Sequence, residues 1–212
     1  MDVHQQILIE RKQYMLQLHN LKDQNIIKVI TGVRRCGKST LLMMFANDII
    51  KKGVDANQIQ FYNFEDLDIL SIGDIYQIHT HIKERLIDDK MNYIFLDEVQ
   101  NIKEFQRLVD SLYIKPNVDV YITGSNAYML SGELATLLTG RYVEINILPL
   151  QFSEYYHFTL SKSPNLSRNE ILANYIHFGG IPEYIKQLNN SEKQADLFAQ
   201  SILKKKKKKD IF

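Results

Sequence analysis

Cysteine occurs once in these 212 residues, as Cys36. No intramolecular disulfide can form and no cysteine cluster can hold zinc, which fits a reducing compartment. Long apolar runs are missing too: the stretch around Ile94 to Leu96 falls far short of the roughly 20 residues a membrane span needs. The opening MDVHQQILIERK lacks the apolar core of a secretory leader. The cytoplasm is therefore the expected compartment. Nor does either sign of charge dominate, since the net charge is +1. Six lysines sit together at Lys204 to Lys209, and outside residues 204–212 the count is 20 basic against 24 acidic residues, a balance of −4. A mildly acidic body gives no broad electrostatic footprint for nucleic acid, although a local basic face stays open. The histidines show no metal-ligand spacing paired with acids, so no histidine-based metal site is expected.

What is present is the composition of a soluble globular chain, 45% hydrophobic and 24% charged, with enough apolar residues for a sizeable core. Residues 4–19 place Ile7, Leu8, Met15 and Leu18 at near-helical spacing. IIKVIT at 26–31 is a β-branched run that reads as a buried strand, followed by a helix from Lys38 to about Lys52. A second strand is expected at 59–64 and a helix at 75–86. A short buried strand falls within YIFLDEVQ at 93–100, and Asn101 with Glu104 three residues on suggests the start of the next helix. Strands are expected again at 118–126 and 142–148. Strands alternating with helices at this spacing imply an α/β fold, a parallel sheet with helices on both faces. After Pro149 the pattern becomes all-helical, with a capping-box start at Ser167 and Glu170. The predicted organisation is a core over 1–148, a helical lid over 149–203 and a poly-lysine tail over 204–212.

The chemistry concentrates at GVRRCGKST, residues 32–40, which fits the pattern G-x-x-x-x-G-K-[ST] between a strand and a helix. Gly32 and Gly37 let the backbone curl until amide hydrogens converge on an anion, helped by the positive end of the following helix. The binding stretch is Gly32, Val33, Arg34, Arg35, Cys36, Gly37, Lys38, Ser39 and Thr40. Lys38 is expected to reach the β and γ phosphates of ATP, and the Ser39 hydroxyl to ligate Mg²⁺. Arg34 and Arg35 either screen phosphate charge or face solvent. Cys36 either gains thiolate character from its surroundings or is simply a small residue in a tight loop. Asp97 ends a hydrophobic strand, where a carboxylate can hold the magnesium shell, and Glu98 beside it can polarise the attacking water. Ser125 and Asn126, at the tip of the next strand, are candidates for a polar sensor of the γ-phosphate; a plain turn is the other reading. Arg141, at the entry to the fifth strand, is either an arginine finger for its own or a neighbouring subunit's nucleotide, or a surface arginine.

Five segments together resemble the prokaryotic AAA-type ATPases, in which an N-terminal ATPase domain precedes a C-terminal domain of unknown function. They are GVRRCGKSTLL at 32–42, YIFLDEVQ at 93–100, ITGSNAYMLSGELATLLTGR at 122–141, LPLQFSEY at 148–155 and GGIPEY at 179–184. The resemblance implies a P-loop fold with strand order 5-1-4-3-2 and a small helical lid. It also implies Lys38 and Ser39 as nucleotide and magnesium contacts, Asp97 and Glu98 as the acidic pair, Ser125 or Asn126 as sensor and Arg141 as a γ-phosphate arginine. Members of that group usually continue further, so the lysine homopolymer suggests a truncated or frame-shifted product, against a short natural basic tail. The expected activity is Mg²⁺-dependent ATP hydrolysis coupled to a partner, with DNA, a protein and a second copy of the chain all open. A nucleotide-dependent switch without turnover, an inactive fragment and a small-molecule kinase are the alternatives.

Overall fold

The computed structural model describes residues 9–124, 138 and 140–182. Helix α1 (Lys12–Leu21) leads to β1 (Ile27–Gly32), whose six residues are all buried. Its β-branched run suits a strand covered on both faces. The chain then passes through α2 (Lys38–Lys51), β2 (Ile59–Asn63), the short α3 (Leu67–Leu70) and α4 (Ile75–Lys83). There follow β3 (Asn92–Asp97), α5 (Phe105–Tyr113), β4 (Val118–Thr123) and β5 (Tyr142–Ile147). Asp74 caps α4 by accepting from the Tyr76 and Gln77 amides, while the Gln77 side chain accepts from the Asp74 amide. That box is a Ser/Thr-type cap with Asp in its place.

The five strands are parallel in the order β2-β3-β4-β1-β5, the expected 5-1-4-3-2 order read from the other edge. Register aligns Ile27 with Tyr142 and Gly32 with Ile147, so one edge of the sheet gathers the carboxyl ends of all the strands. On one face, Val29, Ile94, Leu96, Val120 and Ile122 form a core with Ile78 and Ile82 of α4 and Phe105, Leu108, Val109 and Leu112 of α5. On the other, Phe45 of α2 packs its ring against Phe95 and Tyr121 at centroid distances of 6.4 and 5.3 Å. Each such buried side chain contributes roughly 1.5–3 kcal/mol. Near the amino ends of the strands this second face also buries an ion pair, Lys28 Nζ to Asp119 Oδ1 at 2.5 Å. The Tyr121 hydroxyl and the Asp23 amide donate to the other Asp119 oxygen.

The expected helix start at Asn101 and Glu104 is corrected. Glu98 enters the left-handed region (φ 54°, ψ 50°), residues Val99–Asn101 make one 3₁₀ turn, and α5 begins only after Glu104, which has φ 56° and makes no side-chain cap bond. The sharp exit from β3 uses up the residues that a regular cap would need.

Contacts divide the chain into two compact units, one of residues 12–34 and 38–147, the other with described residues 9–11, 35–37 and 148–182. In the second unit α6 (Phe152–Lys162) and α7 (Arg168–Phe178) bury Leu150, Tyr155, Phe158 and Ile171 together. The Ser167 and Glu170 capping box opens α7 as its sequence implies. Gly179 (φ 74°) ends that helix, and at Gly180 a Cβ would lie 2.2 Å from the Leu150 carbonyl oxygen. Close approach of two backbones therefore demands the second glycine of GGIP. Among the described residues no helix is long and apolar enough to cross a membrane. The helices expected beyond Pro182, the lysine tract, and Ser125 and Asn126 lie outside the described residues.

Candidate nucleotide site

The segment from Gly32 to Thr40 leaves β1 at the carboxyl edge of the sheet and enters α2 at Lys38. Positive φ at Gly32 (148°), Arg35 (69°) and Gly37 (99°) bends it into a closed turn. Successive amides in such a turn form a concave anion nest. Val33, Arg34 and Arg35 are exposed, whereas Cys36 is fully buried. Burial matches the reading of Cys36 as a small residue filling a tight loop and not that of an accessible thiolate. Lys38 is buried, donates to the Gly32 carbonyl at 3.4 Å, and holds its ammonium 3.6 Å from Glu98 Oε1. Ser39 and Thr40 are half-buried in the first turn of α2.

Asp97 ends β3 at 1% exposure. Burial pushes its carboxyl above the ordinary aspartate range, against the influence of the Thr123 and Ser39 hydroxyls; Glu98 adds to the rise and Lys38 opposes it. Ser39, the residue after the loop lysine, is thus one of the two hydroxyls that favour the ionised Asp97. Thr123, the last residue of β4, donates to Asp97 Oδ1 at 2.5 Å, and its oxygen accepts the Glu98 amide at 2.9 Å. One hydroxyl thus orients both acids. Gln100 Nε2 donates to Glu98 Oε2 at 2.5 Å, so each Glu98 oxygen faces a nitrogen. The set of a serine hydroxyl beside a carboxylate is hard oxygen chemistry and fits magnesium, which takes one or two protein oxygens and keeps much of its water.

The structure thus brings together Gly32, Lys38, Ser39, Asp97 and Glu98. It does not bring Arg141 to them. Arg141 precedes β5 at the amino edge of the sheet, where its carbonyl accepts from the Ile27 amide. A strand of six residues at about 3.3 Å per residue separates it from the level of Gly32, roughly 20 Å. Its guanidinium pairs with Asp110 and lies over the Tyr113 ring. A γ-phosphate contact within its own chain does not fit this placement, because a parallel sheet sets the start of β5 beside the start of β1, away from the loop at the end of β1. Thr123 was not singled out from the sequence. The signal was present, since a hydroxyl ending the strand next to an acid-ending strand is placed to bridge to it.

A βαβ sheet with a glycine-bounded turn at its carboxyl edge, Lys-Ser opening the next helix, and an acid pair ending β3, one strand removed from β1, beside that lysine defines a P-loop nucleoside-triphosphatase fold. Within that class the AAA domain family matches residues 24–156, and the chain belongs to it. An uncharacterized protein of Haemophilus influenzae is 39% identical over 179 residues, 84% of this chain and 45% of that protein. One from Methanocaldococcus jannaschii is 32% identical over 166 residues, 75% of this chain and 36% of the other. The chain therefore spans less than half the length of these relatives. Among solved structures, a Walker-type ATPase of Pyrococcus abyssi superposes with a TM-score of 0.61 at 17% identity, covering 96% of this chain and 75% of that one. AMPPCP-bound DnaA from Aquifex aeolicus gives 0.58 at 15% identity, covering 93% and 63%. At such identities the likeness is one of fold.

Proposed function

We propose that this AAA domain binds ATP with Mg²⁺ and hydrolyses it. The observation that carries this reading is the buried Lys38 ammonium, 3.6 Å from Glu98 Oε1, which brings the phosphate loop up to the acidic end of β3 as a magnesium-dependent phosphoryl site requires. Loop amides and the Lys38 ammonium would take the β and γ phosphates, Lys38 turning from Glu98 towards them. Ser39 and Asp97 would hold the ion, which when bound neutralises phosphate charge. Glu98, freed of Lys38 and still oriented by Gln100 and the Thr123 hydroxyl, would accept the proton of the attacking water. Ser125 or Asn126 would sense the γ-phosphate. The helical unit would serve as a lid. Arg141, at the opposite edge of the sheet, suits the nucleotide of a neighbouring copy, which makes a homo-oligomer the working assembly. DNA or a protein is the partner class that turnover would drive.

Two substitutions test the reading. Lys38→Ala should abolish saturable ATP binding in calorimetry. Glu98→Gln should keep binding while steady-state phosphate release falls about 10²- to 10⁴-fold, the usual worth of a general base. Equal loss of binding and turnover in Glu98→Gln would remove Glu98 from the base role, and binding without release in the unmodified protein would leave a switch.

A further inference from the structure

Arg11 precedes α1, belongs to no part of the nucleotide motif, and is 5% exposed. Three of its bonds fall among described residues of one compact unit. Nε donates to Glu154 Oε1 at 3.0 Å, one terminal nitrogen to the Leu148 carbonyl at 2.8 Å, and the other to the Cys36 carbonyl at 3.3 Å. Glu154 offsets the charge and two carbonyls accept from the terminal nitrogens, the kind of partners a buried arginine requires.

The Cys36 carbonyl is the informative partner, because it belongs to the peptide that carries the Gly37 amide. The chain has no cis peptide among the described residues. In a trans peptide the carbonyl and the next amide point to opposite sides. Gly37, at φ 99°, is the residue that lets the loop curl, and without a Cβ it also lets that peptide rotate at little cost. A peptide turned over would present a carbonyl oxygen to the phosphates where an amide should be. Something outside the loop must therefore hold the carbonyl, and a buried cation with a fixed fork is suited to it.

We propose that Arg11 is a positioning residue of the phosphate loop: by holding the Cys36 carbonyl it aims the Gly37 amide at the bound phosphate chain. The inference rests on the nucleotide-binding reading above. Glu154 and Leu148 fix the guanidinium, so the loop's polarity depends on residues more than a hundred positions away in sequence.

The test uses Arg11→Met, which keeps length and removes every donor, and Arg11→Lys, which keeps the charge without the fork. Loss of one amide bond to a charged phosphate should weaken ATP, ADP and inorganic tripolyphosphate alike by about 10- to 100-fold in Arg11→Met. Arg11→Lys should fall between Arg11→Met and the unmodified protein. Because Cys36 is the only cysteine, labelling cysteine carbonyl carbon and glycine amide nitrogen singles out the Cys36–Gly37 peptide in the nuclear magnetic resonance spectrum. In the unmodified protein its amide proton should move downfield on adding Mg²⁺ and ADP, and in Arg11→Met it should not. A role in packing alone would lower the melting temperature but leave affinity and this shift intact in the folded protein, and that result overturns the proposal. If Arg11→Met does not fold, Arg11→Lys decides by the same two readings. An unmodified protein that binds none of the three probes would instead overturn the nucleotide reading and this inference with it.

Discussion

Replacing Thr123 by valine changes almost no volume and removes one hydroxyl, yet that hydroxyl holds two acids. Asp97 is 1% exposed and loses a donor, a bond to a charged group worth about 1.5–3 kcal/mol. The Glu98 amide loses its acceptor, which costs about 1–3 kcal/mol if nothing replaces it. Protonation of Asp97 offsets part of this, since burial already pushes its carboxyl up and the Thr123 bond is one of the contacts holding it down. A net loss of roughly 2–4 kcal/mol is therefore expected, or about 4–16 °C in melting temperature for a chain of this size. Turnover should fall further than stability, because Glu98 sits at φ 54°, a conformation costing of order 1–3 kcal/mol that the Thr123 bond helps to hold. Urea titration gives the first quantity and steady-state phosphate release the second. Thr123→Ser, which keeps the hydroxyl, should recover most of both. A Thr123→Val protein as stable and active as the unmodified one would refute the bridging role.

Asp119→Asn should cost about 3–5 kcal/mol in urea titration, because Lys28 is fully buried and would lose its counter-charge. Burial already lowers the Lys28 ammonium and raises the Asp119 carboxyl, each opposed by the other partner. The double substitution Lys28→Met with Asp119→Leu should cost less, and the reverse ranking would exclude a desolvation origin. Burial raises the phenols of Tyr62 and Tyr93 from 10.0 to about 12. The unfolded chain then releases these protons first, so stability is intact below pH 10 and declines as pH rises towards 12. Urea midpoints across that range should show the decline, and Tyr62→Phe should make it shallower; an unchanged slope would mean that Tyr62 does not contribute. Gly180→Ala should unfold the unit of α6 and α7 at lower temperature, since its Cβ would lie 2.2 Å from backbone oxygen at Leu150. An unaltered melting curve would show that the two backbones separate freely.

The sequence alone determined the kind of protein this is. Strand-forming runs, the glycine frame of 32–37 with Lys38 and Ser39, and the acids closing 93–98 are local features whose chemistry depends on neighbours in the chain. Tertiary structure decided what those residues face. Pairing β5 in parallel beside β1 sent Arg141 to the edge away from its own loop, a consequence of strand direction that no residue of the segment announces. Pairing β4 beside β3 turned Thr123 into the bridge between Asp97 and Glu98. The unexpected exit after β3, with Glu98 left-handed, follows from holding an acid pair at a strand end. Arg11 meets Cys36 across 25 residues and Glu154 across 143. A contact of that span leaves no local periodicity or spacing, because it exists only when packing closes the distance.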